Sequence, residues 1–216
     1  MNAEGCAFDL DHYRELLAAA KAGGYRFAFF DRAPQRGDLL LRHDVDLSLD
    51  AAVRVAELEA EAGARATYFL MTRSVFYNLA SPEGERALAR FRELGHRVGL
   101  HALHPHLDLD RRFDPVVAWH NPDPEFMREP LDGAVNVMQA PYFDPDHYRS
   151  DSNQHWRSGC PHDDLAAGRF EWLQLLTHPE IWAFRGATMR ETMVALLDAE
   201  RERDVERLRA DRIDLS

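Results

Sequence analysis

The chain has 216 residues, enough for one domain with a full hydrophobic core, and it is 45% hydrophobic and 29% charged, as in ordinary globular proteins. Its formal net charge is −11 and it has no cluster of Lys or Arg, so nucleic acids and anionic membrane surfaces are not expected as partners. No stretch predicts insertion into a membrane, and residues 1–10 lack the pattern of a signal peptide, so we expect a cytoplasmic protein.

Helical and strand patterns alternate along the first half of the chain. Ser48 is a typical N-cap residue, and Pro82 stands where a first helical residue is favourable. The predicted elements, in order, are a helix over 8–23, strands over 25–30 and 39–43, a helix over 48–63, a strand over 66–71, a helix over 81–95 and a strand over 97–101.

The second half is predicted to hold three more strands and a long closing helix, separated by loops rich in Pro and Asp. The strands lie at 116–119, 134–139 and 172–177, and the helix spans 186–213. Because strands and helices alternate, a parallel sheet is predicted. About seven strands, in a chain shorter than the ~250 residues of a full eight-unit barrel, predict a single α/β domain over 1–216. We expect an irregular or incomplete (β/α) barrel with the C-terminal helix packed on it.

Two aspartates end segment 39–46, which reads LLLRHDVD. In extended backbone, Asp44 and Asp46 leave the same side of the chain with their Cα atoms roughly 7 Å apart. At that distance each carboxylate raises the pKa of the other unless a cation lies between them. A metal ion would bind one carboxylate and leave the other as a base. The alternative, that both residues simply precede the next helix, is equally compatible with this stretch alone.

Histidines cluster after another predicted strand. His101 ends that strand, so we expect it at the same edge of the sheet as the aspartates, and His104 and His106 follow in the loop. One Asp and two His form an open site that suits Zn²⁺ or another first-row divalent ion. A single exposed His more often caps a helix or bonds to a loop carbonyl, but the cluster together with the aspartates favours a metal.

A third predicted strand also ends in a histidine, His178. An imidazole with a pKa near neutral pH can protonate a leaving group or stabilise an oxyanion. Taken alone, such a residue is more often a hydrogen-bonded histidine of the core or the rim. Its position at a strand end, like that of the aspartates and His101, favours a place in the same site.

Two polar, aromatic loops are candidates for binding or orienting a substrate. One contains His120 and Asn121, and the other contains Asp151, Trp156 and Arg157. Aromatic side chains mixed with Asp, Asn and Arg are typical of sugar-binding surfaces. The same mixture is equally typical of an ordered surface loop.

The chain has two cysteines, Cys6 and Cys160, which are too few for a disulfide framework. A reducing compartment makes free thiols the expectation. Cys160 and His162 are spaced like a pair of metal ligands, but we interpret them as structural because the sequence shows no partners for them.

These stretches together resemble the polysaccharide deacetylase family, also called the NodB-homology or carbohydrate esterase family 4 group. The closest similarity is to intracellular members that carry an Arg-His-Asp-Val-Asp start, and it covers residues 39–182. The resemblance implies that Asp44 is the general base and that Asp46 binds the metal. It also implies that His101 is the first metal histidine and that His178 is the general acid.

Three departures from the family pattern bear on the site. The stretch 104–107 fits the family's His-Pro-x-Leu with one residue missing, so the resemblance implies His104 as the third ligand, with His106 as the alternative. The family's arginine that orients the base is replaced by His120, and Arg157 is the candidate to compensate. The helix that the family has near 107–113 is not predicted here.

The sequence thus predicts a metal-dependent hydrolase of C–N bonds other than peptide bonds, with Zn²⁺ as the expected ion. The expected reaction removes an N-acyl group, N-acetyl in the first instance, from a carbohydrate or a sugar precursor. One alternative keeps the site and acts on a small non-sugar amide. The other is a catalytically lapsed barrel that binds a glycan or a partner protein. The oligomeric state is not predicted.

Overall fold

The fold is built on a parallel sheet that curls into half a barrel. The computed structural model describes residues 6–104 and 106–214, so Pro105 of the His-Pro-x-Leu match lies outside the described residues. The strands are β1 (Arg26–Phe27), β2 (Asp38–Val45), β3 (Ala66–Leu70), β4 (Arg97–Ala102), β5 (Val116–Trp119), β6 (Val135–Asn136), β7 (Tyr148–Ser150) and β8 (Leu173–Thr177).

The strand order is β6-β5-β4-β3-β2-β8-β7, with β1 added beside the start of β2. Neighbouring strands pair in parallel throughout, for example His101 with Ala118 between β4 and β5. In the described part of the chain β6 and β7 are the two ends of this order and do not pair with each other. The predicted single-domain, incomplete (β/α) barrel is therefore confirmed.

Six helices surround the sheet in the described residues, and side chains cap the three that were predicted in the first half of the chain. The carboxylate of Asp9 accepts the backbone N–H of His12, and the hydroxyl of Ser48 accepts the N–H of Ala51. The helices are α1 (Leu10–Ala22), α2 (Leu49–Glu61), α3 (Pro82–Glu93), α4 (His162–Ala166), α5 (Pro179–Ala183) and α6 (Met189–Ala210).

Strand β2 lies inside the sheet, between β3 and β8, and is buried along its whole length. Because successive side chains point to opposite faces, Leu39 and Leu41 pack under the helices, whereas Leu40 packs inside the half-barrel with Phe69. The same alternation places Arg42 on the interior face, two residues before Asp44. A buried strand therefore carries these polar side chains to the carboxyl edge of the sheet.

The structure differs from the predicted elements where the sequence pattern is short or polar. The strands predicted at 25–30 and 134–139 form only two-residue pairings. Strand β7 and the five-residue helices α4 and α5 were not predicted, because such short segments show no clear periodicity. Between β4 and β5 the described residues contain no helix, as the sequence indicated.

The closing helix α6 is mostly exposed. Only Thr192 and Leu196 are buried, and Leu196 packs against Ala51, Ala183 and Phe184. Among the helices of the described residues, none combines the length and the apolar character that crossing a membrane requires.

Candidate functional site

Polar side chains from four strand ends meet at the carboxyl edge of the sheet. Asp44 and Asp46 come from the end of β2, His101 from the end of β4, His120 from just after β5, and His178 from just after β8. In parallel α/β sheets this edge is where binding sites form. The prediction that the aspartates, His101 and His178 share one edge agrees with this placement.

Asp46, His101 and His120 bring three potential metal ligands together. Asp46 Oδ1 lies 3.1 Å from His101 Nε2 and 3.3 Å from His120 Nδ1. The two imidazole nitrogens are 3.1 Å apart, and one ligand atom from each residue lies within 4.8 Å of the others. One carboxylate and two imidazoles are a donor set that suits Zn²⁺ and other first-row divalent ions.

The hydrogen bonds around this group leave it in need of a cation. His101 Nδ1 lies 3.0 Å from the carbonyl oxygen of Ala118, which only accepts, so Nδ1 carries the proton. In the neutral form of His101, Nε2 then carries a lone pair toward Asp46, whose buried Oδ1 has no hydrogen-bond partner. A metal ion between these two acceptor atoms would satisfy both. The residues present therefore fit a metal.

Electrostatics keep Asp46 ionised. Burial raises the pKa of this carboxyl, but the imidazoles of His101 and His120 outweigh burial and hold the pKa well below its ordinary value. The nearby carboxylate of Asp46 in turn raises the pKa of His120. An ionised carboxylate is the form that binds a metal.

The third ligand of the group, an imidazole, differs from the one expected. The His104 ring stacks on Phe126, with centroids 4.2 Å apart, and contacts the edge of Trp119. His106 is exposed in the same loop. Neither residue belongs to the group around Asp46, and the place expected for them is taken by His120.

The physical reason for this difference is strand register. Ala102 of β4 pairs with Trp119 of β5, so the first residue after β5 emerges beside His101. The backbone N–H of His120 also donates to the carbonyl of Ala102. The short connection after β4 leads His104 away, onto Trp119 and Phe126.

Asp44 is held by an arginine from its own strand. Arg42 donates from Nε to Asp44 Oδ1 at 2.8 Å and from Nη2 to Oδ2 at 2.7 Å, and both side chains are buried. Burial raises the pKa of Asp44, but the charge and hydrogen bonds of Arg42 bring it below its ordinary value. The compensating arginine expected at Arg157 is therefore found at Arg42, because residues i and i+2 of a strand share a face.

His178 is held by a buried carboxylate. Its Nδ1–H donates to Asp151 Oδ1 at 2.6 Å, and its backbone N–H donates to Asp151 Oδ2 at 3.0 Å. The indole N–H of Trp182 donates to the same Oδ2 at 2.7 Å. This arrangement leaves Nε2 of His178 facing the cleft, 4.0 Å from Asp46 Oδ2.

The Asp151–His178 pair favours the protonated imidazole. Burial lowers the pKa of His178, but the charge and hydrogen bond of Asp151 outweigh burial and raise that pKa to about 10. His178 is therefore a proton donor at neutral pH. Asp151, expected to bind or orient a substrate, orients His178 instead.

Of the remaining loop residues predicted to bind a substrate, one lines the cleft and two lie elsewhere. Asn121 lines the cleft, and its amide lies 3.2 Å from His120 Nε2. Trp156 was expected near the substrate, but it is buried against Trp182 because its indole completes the aromatic core beside α1. Arg157 is exposed and lines a neighbouring cleft with Tyr148.

The site opens into a cleft of about 380 Å³. Asp46, His120 and His178 lie at one side of it. Phe76, with 57% of its surface exposed, and Val75, with 90%, contribute to the opposite wall. Small-molecule sites typically measure about 300–1,000 Å³, so the cleft suits a ligand toward the small end of that range.

Glu180 is a site residue that the sequence analysis missed. It lines the cleft, it is buried, and its Oε2 has no hydrogen-bond partner. Burial raises its pKa to about 8, against the opposing charge of His178. The one available signal was its position two residues after His178, and that signal was hidden because helix α5 was not predicted.

A second polar network lies beneath the site. His43 Nε2 lies 2.7 Å from Glu59 Oε1, and its Nδ1 lies 2.7 Å from the hydroxyl of Thr177. The hydroxyls of Tyr13 and Tyr68 donate to the two Glu59 oxygens, each at 2.6 Å. His43 therefore links β2 to α2 and β8 and points away from the cleft.

Comparison of the chain with protein-family models, with curated proteins and with solved structures found no match. Similarity therefore establishes no family for this chain.

Proposed function

We propose that the chain is a metal-dependent hydrolase that removes an N-acyl group, N-acetyl in the first instance, from a carbohydrate or a sugar precursor. The observation that carries the proposal is the meeting of three units at one sheet edge. They are the Arg42–Asp44 pair, the ligand group of Asp46 with its two imidazoles, and the Asp151–His178 pair. The resemblance to polysaccharide deacetylases supports the same roles for Asp44, Asp46 and His178.

Asp46, His101 and His120 are the residues that would hold the metal, with Zn²⁺ as the expected ion. When bound, such an ion supplies Lewis acidity that polarises the acyl carbonyl and favours attack by water. Asp46 Oδ1 and His101 Nε2 are arranged for this task in advance, because the Ala118 carbonyl fixes the imidazole in the required tautomer.

Asp44 is the proposed general base. Its carboxylate accepts the proton of the attacking water as the new C–O bond forms at the acyl carbon. Arg42 keeps this carboxylate ionised and fixes its orientation through two parallel hydrogen bonds. The i, i+2 spacing with Asp46 places the base next to the ligand group.

His178 is the proposed general acid. The C–N bond breaks as Nε2–H of the imidazolium passes its proton to the departing amine nitrogen, which leaves a free amine and a carboxylic acid. Asp151 holds the imidazole by Nδ1, so Nε2 is the atom that faces the substrate. The pKa of about 10 ensures that the acid is protonated at neutral pH.

Phe76 supports a sugar substrate. Its ring is 57% exposed beside the site, and an apolar aromatic face of this kind is suited to packing against the apolar face of a sugar ring. A second candidate substrate class, a small non-sugar amide, is favoured by the modest cleft volume of about 380 Å³.

The test is an assay of Zn²⁺-loaded protein on a panel of N-acetylated amino sugars and a panel of small amides. We expect turnover on the first panel. Because base and acid each contribute about 10²–10⁴-fold, Asp44→Asn and His178→Ala should each lower kcat by that factor. Arg157→Ala, at an exposed residue outside the cleft, is the matched control and should keep its activity.

Three results would contradict or redirect the proposal. Unchanged turnover in Asp44→Asn and His178→Ala rules out the mechanism. Turnover on the amide panel alone moves the function to the second candidate. Protein that holds no stoichiometric metal, retains none when Zn²⁺ is added and turns over neither panel supports a lapsed barrel that binds a glycan or a partner.

A further inference from the structure

Cys6, His12 and Cys160 form a second group of potential metal ligands. His12 Nε2 lies 3.3 Å from Cys160 Sγ, and one ligand atom from each of the three residues lies within 4.8 Å of the others. Both thiols are free. None of the three residues lines the cleft that holds Asp46 and His178.

The group joins parts of the chain that are far apart in sequence. Cys6 precedes α1, His12 lies in the first turn of α1, and Cys160 lies 148 residues beyond His12, just before α4. Helices α1 and α4 pack against each other, which brings the loop before α4 onto the start of α1. The sequence analysis found no partners for Cys160, because these partners become neighbours only through that packing.

The surroundings of His12 match those of a metal-binding histidine. Its Nδ1 lies 2.9 Å from the carboxylate of Glu15, one helical turn away, so the other nitrogen is free to face Cys160. Histidines that bind metals typically donate their second N–H to a carboxylate or a carbonyl in this way. The indole N–H of Trp156 donates to Cys6 Sγ at 3.2 Å, as hydrogen bonds to metal-bound thiolates do.

We propose that Cys6, His12 and Cys160 bind a structural zinc ion, separate from the metal of the proposed active site. Two thiolates and one imidazole are typical Zn²⁺ ligands, and structural sites use four ligands in a tetrahedron. The three residues leave the fourth position open; His162, whose ring centroid lies 5.8 Å from that of His12, is outside the group of three and would have to turn toward it to fill that position.

This zinc site would brace the residue that orients His178. Trp156, which bonds to Cys6, packs on Trp182, with ring centroids 6.2 Å apart, and Trp182 donates to Asp151. A metal ion bound to Cys6 would thus restrain Trp156 and Trp182, and Trp182 is one of the hydrogen-bond donors to the buried Asp151. The zinc site itself does not rest on the proposed hydrolase function.

Cobalt is the sharpest probe, because Co²⁺ bound to thiolates absorbs strongly in the near ultraviolet. The chain has only two cysteines, and the ligand group at Asp46 contains no sulfur, so this absorption reports on the second site alone. In reduced, metal-free, full-length protein we expect the band to saturate by two equivalents of Co²⁺ at most, because the group at Asp46 also takes up the ion, and to disappear when Zn²⁺ displaces Co²⁺.

Variants separate the two sites. Cys160→Ser should remove most of the cobalt–thiolate band, and Glu15→Ala should keep the band but weaken affinity about 10–100-fold, as loss of a supporting carboxylate does. His101→Ala is the matched control, because it changes only the other ligand group and should leave the band intact.

A measurement on the unaltered chain makes the result independent of how any variant folds. Zn²⁺ should slow the reaction of both thiols with a disulfide reagent at least tenfold. Absence of the cobalt–thiolate band, or equal thiol reactivity with and without Zn²⁺, would overturn the proposal. So would formation of a Cys6–Cys160 disulfide under air with no metal uptake by the reduced protein.

Discussion

At the scale of single residues, the site depends on a few buried charges whose partners are well defined. Asp151 is fully buried, and its two oxygens accept three hydrogen bonds, two of them from His178. Glu180 is equally buried and has one oxygen without a partner. The charge of Asp151 therefore acts on the pKa of His178, whereas burial acts on the pKa of Glu180 itself, and both effects are measurable.

Replacing Asp151 by Asn should lower the pKa of His178 from about 10 by more than one unit, which corresponds to at least about 1.4 kcal/mol. Burial then acts on the imidazole without the hydrogen-bonded negative charge of Asp151. NMR titration of the His178 ring protons measures the change. Asp163→Asn, beside the more exposed His162, is the control and should leave the His178 pKa unaltered.

The same pair predicts a pH dependence of stability. The pKa of His178 is raised in the folded protein, so its contribution is complete below the ordinary pKa near 6.5 and is lost as pH rises toward about 10. The difference in unfolding free energy between the natural chain and Asp151→Asn should shrink across that window. A difference that stays constant from pH 6.5 to 10 would contradict the assignment.

Replacing Glu180 by Gln tests a buried carboxyl whose own pKa is raised. The pKa of Glu180 is raised from 4.5 to about 8, so its contribution to stability is complete below pH 4.5 and is lost as pH rises to about 8. Gln keeps the shape without the charge. Urea denaturation of metal-free protein measures the free energy of unfolding. Within that window, the value for the variant should rise relative to that of the natural chain by up to about 1.4 kcal/mol per pH unit. Equal pH profiles would show that Glu180 is ionised at little energetic cost.

At the scale of secondary structure elements, strand position decides which side chains meet. Arg42 and Asp44 pair because both lie on the interior face of β2, and His120 meets His101 because β5 pairs with β4. Both relations follow from the faces and the pairing of the strands. The strands therefore control the composition of the site.

Removing Arg42 should be strongly destabilising. Arg42→Ala leaves Asp44 buried without its cation, and breaking a buried ion pair from one side typically costs about 3–5 kcal/mol. Urea denaturation at neutral pH measures the loss. Arg157→Ala, at an exposed arginine, should change the unfolding free energy by no more than about 0.5 kcal/mol. Similar small effects of both substitutions would mean that Asp44 finds another partner.

The metal affinity of histidine variants tests the register. We expect His120→Ala to weaken Zn²⁺ binding by more than the 10–100-fold typical of a lost supporting partner, whereas His104→Ala should have little effect. Calorimetry in the Cys160→Ser background confines the measurement to the site at Asp46. His106→Ala is the control. Stronger losses from His104→Ala than from His120→Ala would restore the ligand set expected from the sequence.

At the scale of the whole molecule, the half-barrel fold and the residues at three strand ends were predictable from the sequence. The partners Arg42 and His120 were not. Apolar runs that end in Asp or His predicted that Asp46, His101 and His178 lie at one edge of the sheet, where the structure has them, because a buried parallel strand leaves a clear pattern. Arg42 was hidden inside such a run, where its role depends on the face it shares with Asp44. His120 required the pairing of β4 with β5, which composition and spacing do not encode.

Asp46 and His120, two members of the ligand group, follow strands of unequal local stability. Asp46 follows a strand paired on both sides, whereas His120 follows the four-residue β5, whose outer neighbour pairs over two residues only. Backbone amides of β2 should exchange with solvent only through global unfolding, and those near His120 through local opening. An ion bound by Asp46 and His120 would connect the rapidly exchanging end of β5 to the slowly exchanging β2. Loading Zn²⁺ should therefore slow amide hydrogen exchange around residues 116–121 and leave that of β2 unchanged. Metal binding would then be detected as a change in local motion at one end of the site.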